Sequence, residues 1–169
     1  MNTPQFVFHK KIIIYYNYHI IIVLNMNGSL YINSYGGKMC IFCKIVDEEI
    51  PAKIVYETNT TIAFLDVNPK TKGHTIIIPK SHYETFEELP DNILMDLMKT
   101  IKEVIKLLKP LNYEGYNILN NNKPIAGQEI PHVHFHLIPR YSNEQEEIIK
   151  MSKSINCDLD EILSCVQKD

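Results

Sequence analysis

The chain is short of several things, and each shortage removes a class of protein. Its 169 residues include only 6 Gly beside 9 Pro, too little glycine for collagen-like or glycine-rich disordered sequence. Only 4 Cys occur, too few to staple a small disulfide scaffold. A basic excess is missing as well: 17 Lys and Arg face 20 Asp and Glu, a formal net charge of −3. Proteins that coat nucleic acid carry a strong positive excess, so that class is excluded. No window offers the roughly 18 consecutive apolar residues of a membrane span. What remains, 45% hydrophobic and 22% charged residues, suits one packed domain of ordinary composition.

Charge and composition divide the chain near Met39. Residues 1–38 hold Lys10, Lys11 and Lys38 and no acid, whereas 39–169 hold 14 basic and 20 acidic groups. The front segment is rich in Ile, Tyr and Asn, and Tyr15, Tyr16, Asn17, Tyr18 and His19 interrupt its apolar stretch. A targeting segment needs an unbroken apolar run and a small-residue cleavage site. Residues 1–38 are therefore expected to be an unstructured or misassigned extension, although their β-branched content would permit a sticky strand. Sixteen Lys against the single Arg140 point to AT-rich coding, and translated non-coding sequence of that kind would read much like this segment. The folded domain is expected over 39–169.

Within that domain helix and strand signals alternate. Residues 53–58 and 61–66 read as short strands around the turn Asn59-Thr60, and 73–79, with Ile76, Ile77 and Ile78, as a buried strand. Residues 91–109 are the clearest helix. Ile93, Leu94, Leu97, Met98, Ile101, Val104, Ile105 and Leu108 form a stripe at helical spacing, Asp91 is the candidate cap, and Pro110 stops it. Residues 115–121 and 132–140 read as two further strands, and 144–165 as a weaker C-terminal helix carrying Cys157 and Cys165 on one face. The expected class is α+β: a mainly antiparallel sheet of about five strands, one long central helix and a C-terminal helix.

The run His132-Val133-His134-Phe135-His136-Leu137-Ile138-Pro139 carries the most chemistry. Strand alternation puts His132, His134 and His136 on one face and Val133, Phe135 and Leu137 on the other. Three readings fit these residue types. The histidines are a solvated polar face, a metal centre, or an acid–base and nucleophilic group centred on His134. Against the metal centre, the outer pair of a straight strand is about 13 Å apart at the backbone, too far to converge on one ion. For the third reading, a neutral imidazole attacks phosphorus through one nitrogen while the other donates the hydrogen bond that fixes its tautomer.

This run resembles the H-x-H-x-H motif of the histidine-triad (HIT) family of nucleotide hydrolases and transferases. The resemblance extends over 39–169 through Cys40-Ile41-Phe42-Cys43-Lys44-Ile45, Ile50-Pro51-Ala52-Lys53, Ala63-Phe64-Leu65-Asp66, Gly73-His74-Thr75-Ile76-Ile77-Ile78-Pro79-Lys80 and Gly127-Gln128-Glu129. It points to the Hint branch, whose members have also been called protein kinase C-interacting proteins. The resemblance implies a HIT-like fold and a hydrolase that cleaves the P–N bond of purine nucleoside 5′-phosphoramidates. By that pattern His134 is the nucleophile and forms a nucleotidyl-histidine, His136 binds phosphate oxygen, and His132 holds and polarises the strand. Asp66 matches the ribose-binding acid, and Ile41, Phe42, Ile45, Phe64, Val67 and Ile76 match the walls around the base. His74 and Asn121 match the phosphate and leaving-group side, with Gly127, Gln128 and Glu129 nearby. Glu129 stands where some relatives have serine, so backbone N–H rather than side-chain contact is expected there.

The spacing Cys40-x-x-Cys43 suits zinc but lacks a second pair. The family resemblance completes it with His82 and His132, a closed Cys₂His₂ structural site, and implies no organic cofactor. It also implies a homodimer in the cytoplasm, or cytoplasm and nucleus, with a purine nucleotide substrate, unknown protein partners, and no nucleic-acid or membrane partner. Two other functions stay open at this point: dinucleoside polyphosphate hydrolysis, and nucleotide sensing by a scaffold that binds kinases.

Overall fold

The structure is a computed structural model describing residues 40–142 and 154–167, preceded by the backbone of three strands. These are β1 (Ile12–Tyr16), β2 (Ile20–Leu24) and β3 (Leu30–Ser34), which pair antiparallel with one another in a sheet of their own. β1 and β2 lie in the β-branched stretches of the front segment. The rest of residues 1–39 lies outside the described residues.

The domain proper begins with α1 (Ile41–Val46), a short helix that the sequence pattern did not announce. β4 (Ile54–Glu57), β5 (Thr61–Leu65) and β6 (Thr75–Pro79) follow as an antiparallel meander. Next come α2 (Asp91–Leu107), β7 (Gly115–Leu119) and β8 (Phe135–Arg140). The sheet order is β4-β5-β6-β8-β7, antiparallel throughout, so the last strand in sequence sits between two earlier ones. The expected class and strand count agree with this arrangement.

Strand alternation assigns the two faces. Ala63, Ile77, Phe135 and Leu137 meet Leu97, Ile101, Val104 and Leu108 of the α2 stripe and bury one core. Between these layers the Thr61 and Thr100 hydroxyls bond each other at 2.7 Å, so neither is buried unsatisfied. On the opposite face Ile62, Phe64, Ile76 and Ile78 form a second cluster with Phe42 of α1. That second face carries the site. Gly73 closes the approach to β6 at φ +84, and a Cβ there would lie 2.5 Å from Leu111 Cδ1, so any other residue would strain the backbone and displace the Leu111 side chain.

Two element boundaries differ from the sequence reading. Pro90, extended at φ −63 and ψ 146, is the N-cap of α2, and Asp91 is the first helical residue with no side-chain cap bond. A carboxylate there still favours the helix through the positive end of its dipole. At the C-terminus the helix is α3 (Leu159–Val166), capped by Asp158, whose side chain accepts from the N–H groups of Asp160 and Glu161. Residues 154–158 are not helical, so Cys157 shares no helical face with Cys165. The expected helical stretch 143–153 lies outside the described residues. Among the described residues, no helix is long and apolar enough to cross a membrane.

Candidate active site

The histidine run does not lie wholly within a strand. β8 begins at Phe135, and only His136 joins the ladder, opposite Ile76 on one side and Leu119 on the other. His132 and His134 lie in the lead-in. Pro131 has no N–H, the His132 N–H turns back to the Ile130 carbonyl at 2.8 Å, and Val133 N–H donates to Tyr83 at 2.7 Å. Those bonds keep the segment out of the ladder, which corrects the expected strand start at His132.

His134 is held in one orientation and one tautomer. Its Nδ1 lies 2.7 Å from the His132 carbonyl oxygen, which can only accept, so Nδ1 carries the proton and Nε2 presents a lone pair. Asn120 Nδ2 donates to the His134 carbonyl at 2.9 Å, and the Phe42 ring stands edge-on at 5.3 Å. Burial pushes the His134 pKa below its ordinary value, opposed by the His132 carbonyl and the Asp66 and Glu129 carboxylates. A neutral imidazole at neutral pH is the nucleophilic form. Sequence reasoning missed Asn120, although the run Asn120-Asn121-Asn122 at the end of β7 was its signal.

A second chain of bonds ends at His136. The Lys70 N–H donates to His74 Nδ1 at 3.2 Å, so that nitrogen is an acceptor and His74 Nε2 bears the proton. His74 Nε2 then donates to His136 Nδ1 at 3.0 Å. His136 is left with its Nε2–H as a donor, its ring 4.9 Å from that of His134. Burial, then the neighbouring His134 and His74, push the His136 pKa down to about 4. Asp66 closes the group: its Oδ1 accepts from Asn68 N–H at 2.8 Å, and Oδ2 is 3.4 Å from His74 Nδ1. Asp66, His74 and His136 offer ligand atoms within 4.8 Å of one another. Both ring nitrogens of His74 and Nδ1 of His136 are engaged within this group, which leaves His136 Nε2–H facing outward as a donor.

The residues expected around the base divide by burial. Phe42, Phe64 and Ile76 are buried in the second cluster, with Ile45 packed against it, so they form the floor. Ile41, 46% exposed, and Val67, 87% exposed, stand outside that floor at the surface. Asn121 Nδ2 faces the Gly127 carbonyl at 3.4 Å. The Gln128 side chain is turned inward, accepting from Lys123 N–H and donating to the Glu84 carbonyl, both at 2.7 Å. Those two bonds brace the loop. Gly127, at φ +88, and Glu129 are exposed.

The His132 ring faces away from His134, toward the start of α1. Its Nε2–H donates to the Pro79 carbonyl at 3.0 Å, which leaves Nδ1 with a lone pair aimed at two cysteines. Cys40 Sγ is 3.5 Å and Cys43 Sγ 3.7 Å from that nitrogen, and His82 Nδ1 is 3.3 Å from Cys43 Sγ. All four ligand atoms lie within 4.8 Å of one another. Zinc bonds of about 2.3 Å to sulfur and about 2.0 Å to nitrogen, at a tetrahedral angle, set S···N separations of about 3.6 Å. The group fits a tetrahedral metal. Burial, then Cys40, pushes the Cys43 thiol up to about 12.

The fold and the paired histidines define a class, and comparison with known proteins identifies it. The HIT domain profile matches residues 47–143. An uncharacterized HIT-like protein of Methanocaldococcus jannaschii is 54% identical over 125 residues, covering 74% of this chain and 96% of its own. The adenosine 5′-monophosphoramidase of Saccharomyces cerevisiae is 44% identical over 110 residues, 65% of this chain and 68% of its own. Among solved structures, a histidine triad nucleotide-binding protein from Candida albicans superposes with TM-score 0.67 at 38% identity, covering 76% and 92% of the two chains. A zinc-bound histidine triad protein from Mycobacterium smegmatis gives TM-score 0.62 at 28% identity over 68% and 84%. The chain belongs to the HIT family.

Proposed function

We propose that the protein is a hydrolase of purine nucleoside 5′-phosphoramidates, cleaving the P–N bond through a nucleotidyl-histidine. The observation that carries this reading is the 2.7 Å bond from His134 Nδ1 to the His132 carbonyl, which frees Nε2 for attack on phosphorus. Attack forms the Nε2–P bond as the P–N bond breaks; His136 Nε2–H donates to a phosphoryl oxygen, and the departing amine takes its proton from solvent. Water then attacks the same phosphorus, returns a proton to solvent, and breaks the Nε2–P bond, releasing the nucleoside monophosphate with His134 restored. Asp66 accepts from the ribose hydroxyls, and the floor of Phe42, Phe64 and Ile76 carries the base. The monophosphoramidase activity of the yeast relative supports this substrate class.

Charge around the histidines supports this reading over dinucleoside polyphosphate hydrolysis. Two carboxylates, Asp66 and Glu129, act on His134, while Lys70 is the cation acting on His136 and His74. A chain of several phosphates would meet little positive charge there; a phosphoramidate with one anionic phosphorus suits it better. A turnover panel of adenosine 5′-phosphoramidate against diadenosine tri- and tetraphosphate tests the choice. Faster turnover of the polyphosphates would overturn it.

Cys40, Cys43, His82 and His132 are proposed to hold one structural zinc, a reading that the ligand spacing and the zinc-bound mycobacterial relative support. When bound, the ion cross-links the start of α1 to the segment leading into β8. A homodimer built on the outer edge of β7, and a catalytic unit over 39–169, complete the proposal.

A further inference from the structure

We infer that Cys40 and Cys43 are an oxidative modification site whose closure to a disulfide expels the metal and loosens the nucleotide pocket. The inference rests on the zinc and nucleotide readings above and adds a reaction that neither requires.

The two thiols flank the first turn of α1, where Lys44 N–H bonds the Cys40 carbonyl at 3.1 Å. Both sulfurs approach the same imidazole nitrogen, His132 Nδ1, so they converge on one point. A Cys-x-x-Cys pair brought to one point by a helical turn has its two sulfurs close enough to join as a disulfide. The site also has a solvent side, because Cys43 is half-buried and His82 exposed. A hydroperoxide supplies the oxidant. Two thiolates lose two electrons and join as S–S, while the peroxide O–O bond takes those electrons and two protons to give water and an alcohol, or two waters. Both sulfur ligands are consumed in that step. His82 and His132 alone cannot complete a tetrahedral site, and the ion leaves to solvent.

The pocket responds because α1 is part of it. Phe42, between the two cysteines, stands edge-on to Phe64 at 5.7 Å, His132 at 5.9 Å and His134 at 5.3 Å. When bound, a metal on these four residues would add a cross-link to His82 and His132 beside the Phe42 packing that seats this six-residue helix. Releasing it frees the floor of the base site and one neighbour of His134.

The test uses the full chain carrying Cys157→Ser and Cys165→Ser, since those two exposed thiols would otherwise react as well. Zinc content is measured first, then hydrogen peroxide is titrated in. Zinc release is followed with a chromogenic chelator, the 40–43 disulfide by peptide mass, and AMP affinity by calorimetry. The expected result is about one zinc released per disulfide and AMP binding weakened about tenfold, both reversed by dithiothreitol plus zinc. Zinc retained by oxidised protein, or AMP affinity within about twofold after complete disulfide formation, overturns the inference. Protein that carries no zinc before oxidation fails the zinc reading, and zinc-loaded protein that does not bind AMP fails the nucleotide reading. Either takes this inference with it.

Discussion

His132 touches both halves of the site: its carbonyl accepts the Nδ1–H of His134 at 2.7 Å, while its ring nitrogen faces Cys40 and Cys43. Its ring is fully buried, so in the proposed mechanism the first histidine of the run positions the nucleophile without meeting substrate. The bond that sets the tautomer of His134 therefore starts from a backbone fixed at its other end by the Cys/His group and the Pro79 carbonyl. An outer partner of this kind fixes the tautomer and ring orientation of the imidazole it holds.

His134→Ala is expected to lower phosphoramidate hydrolysis by at least about a thousandfold while leaving AMP affinity within about tenfold. The imidazole supplies the covalent bond, whereas Asp66 and the floor under the base supply affinity. A nucleotidyl adduct should be trapped on His134 of the wild type in rapid-quench mass spectrometry. Turnover within about tenfold of wild type in the variant removes the nucleophile assignment.

The sequence carried the sheet because its strands are β-branched and its long helix repeats apolar residues at helical spacing. What it could not carry was set by groups without a periodic signal. α1 has six residues, too few for a helical stripe to emerge, and its stability comes from Phe42 packing into the second core rather than from propensity. The start of β8 moved because Pro131 and two loop hydrogen bonds decide where the ladder begins. The His74–His136 bond was likewise illegible, since it joins residues 62 apart in sequence. Gln128 was in the motif, and only the structure shows its side chain spent on Lys123 and Glu84.

Stability should fall on the acid side. Burial, with smaller contributions from charged neighbours, lowers His132 and His136 from the ordinary 6.5 to about 4 in the folded protein. Between those values the unfolded chain takes up protons that the native state does not, so unfolding is favoured as the pH drops. Tm is expected to be highest above pH 6.5, to decline toward pH 4, and to flatten below that, where the native histidines also protonate. His136→Gln removes one of the two groups and should make the decline shallower. A Tm unchanged across this range rules out buried neutral histidines.

Metal should be present and should matter to the fold. Protein purified without a polyhistidine tag is expected to contain about one zinc per chain, because the four ligand atoms already stand at zinc-compatible separations. Chelation, or Cys43→Ser, should lower Tm, since metal binding to a preformed site adds to folding free energy. Less than about 0.1 zinc per chain, with Tm insensitive to chelator, means that the thiols are simply packing groups.

The outer edge of β7 should pair two copies of the chain. β7 ends the sheet order, so one side of its backbone has no ladder partner among the described residues. Tyr116 and Ile118, 46% and 44% exposed, lie opposite Pro139 and Leu137 and continue the face that α2 covers elsewhere. A bare edge with apolar side chains invites another strand, and a two-fold axis would satisfy both edges at once and extend the five-stranded sheet across two subunits. The expected mass by sedimentation at micromolar concentration is that of a dimer. Ile118→Lys should shift it to monomer while the far-ultraviolet circular dichroism stays unchanged, because the added charge faces the seam and not the core. A chain begun at Met39 should keep the dimer and its turnover, since β1–β3 form a sheet of their own. A wild-type monomer at that concentration, or loss of the dimer on removing residues 1–38, places the interface somewhere other than β7.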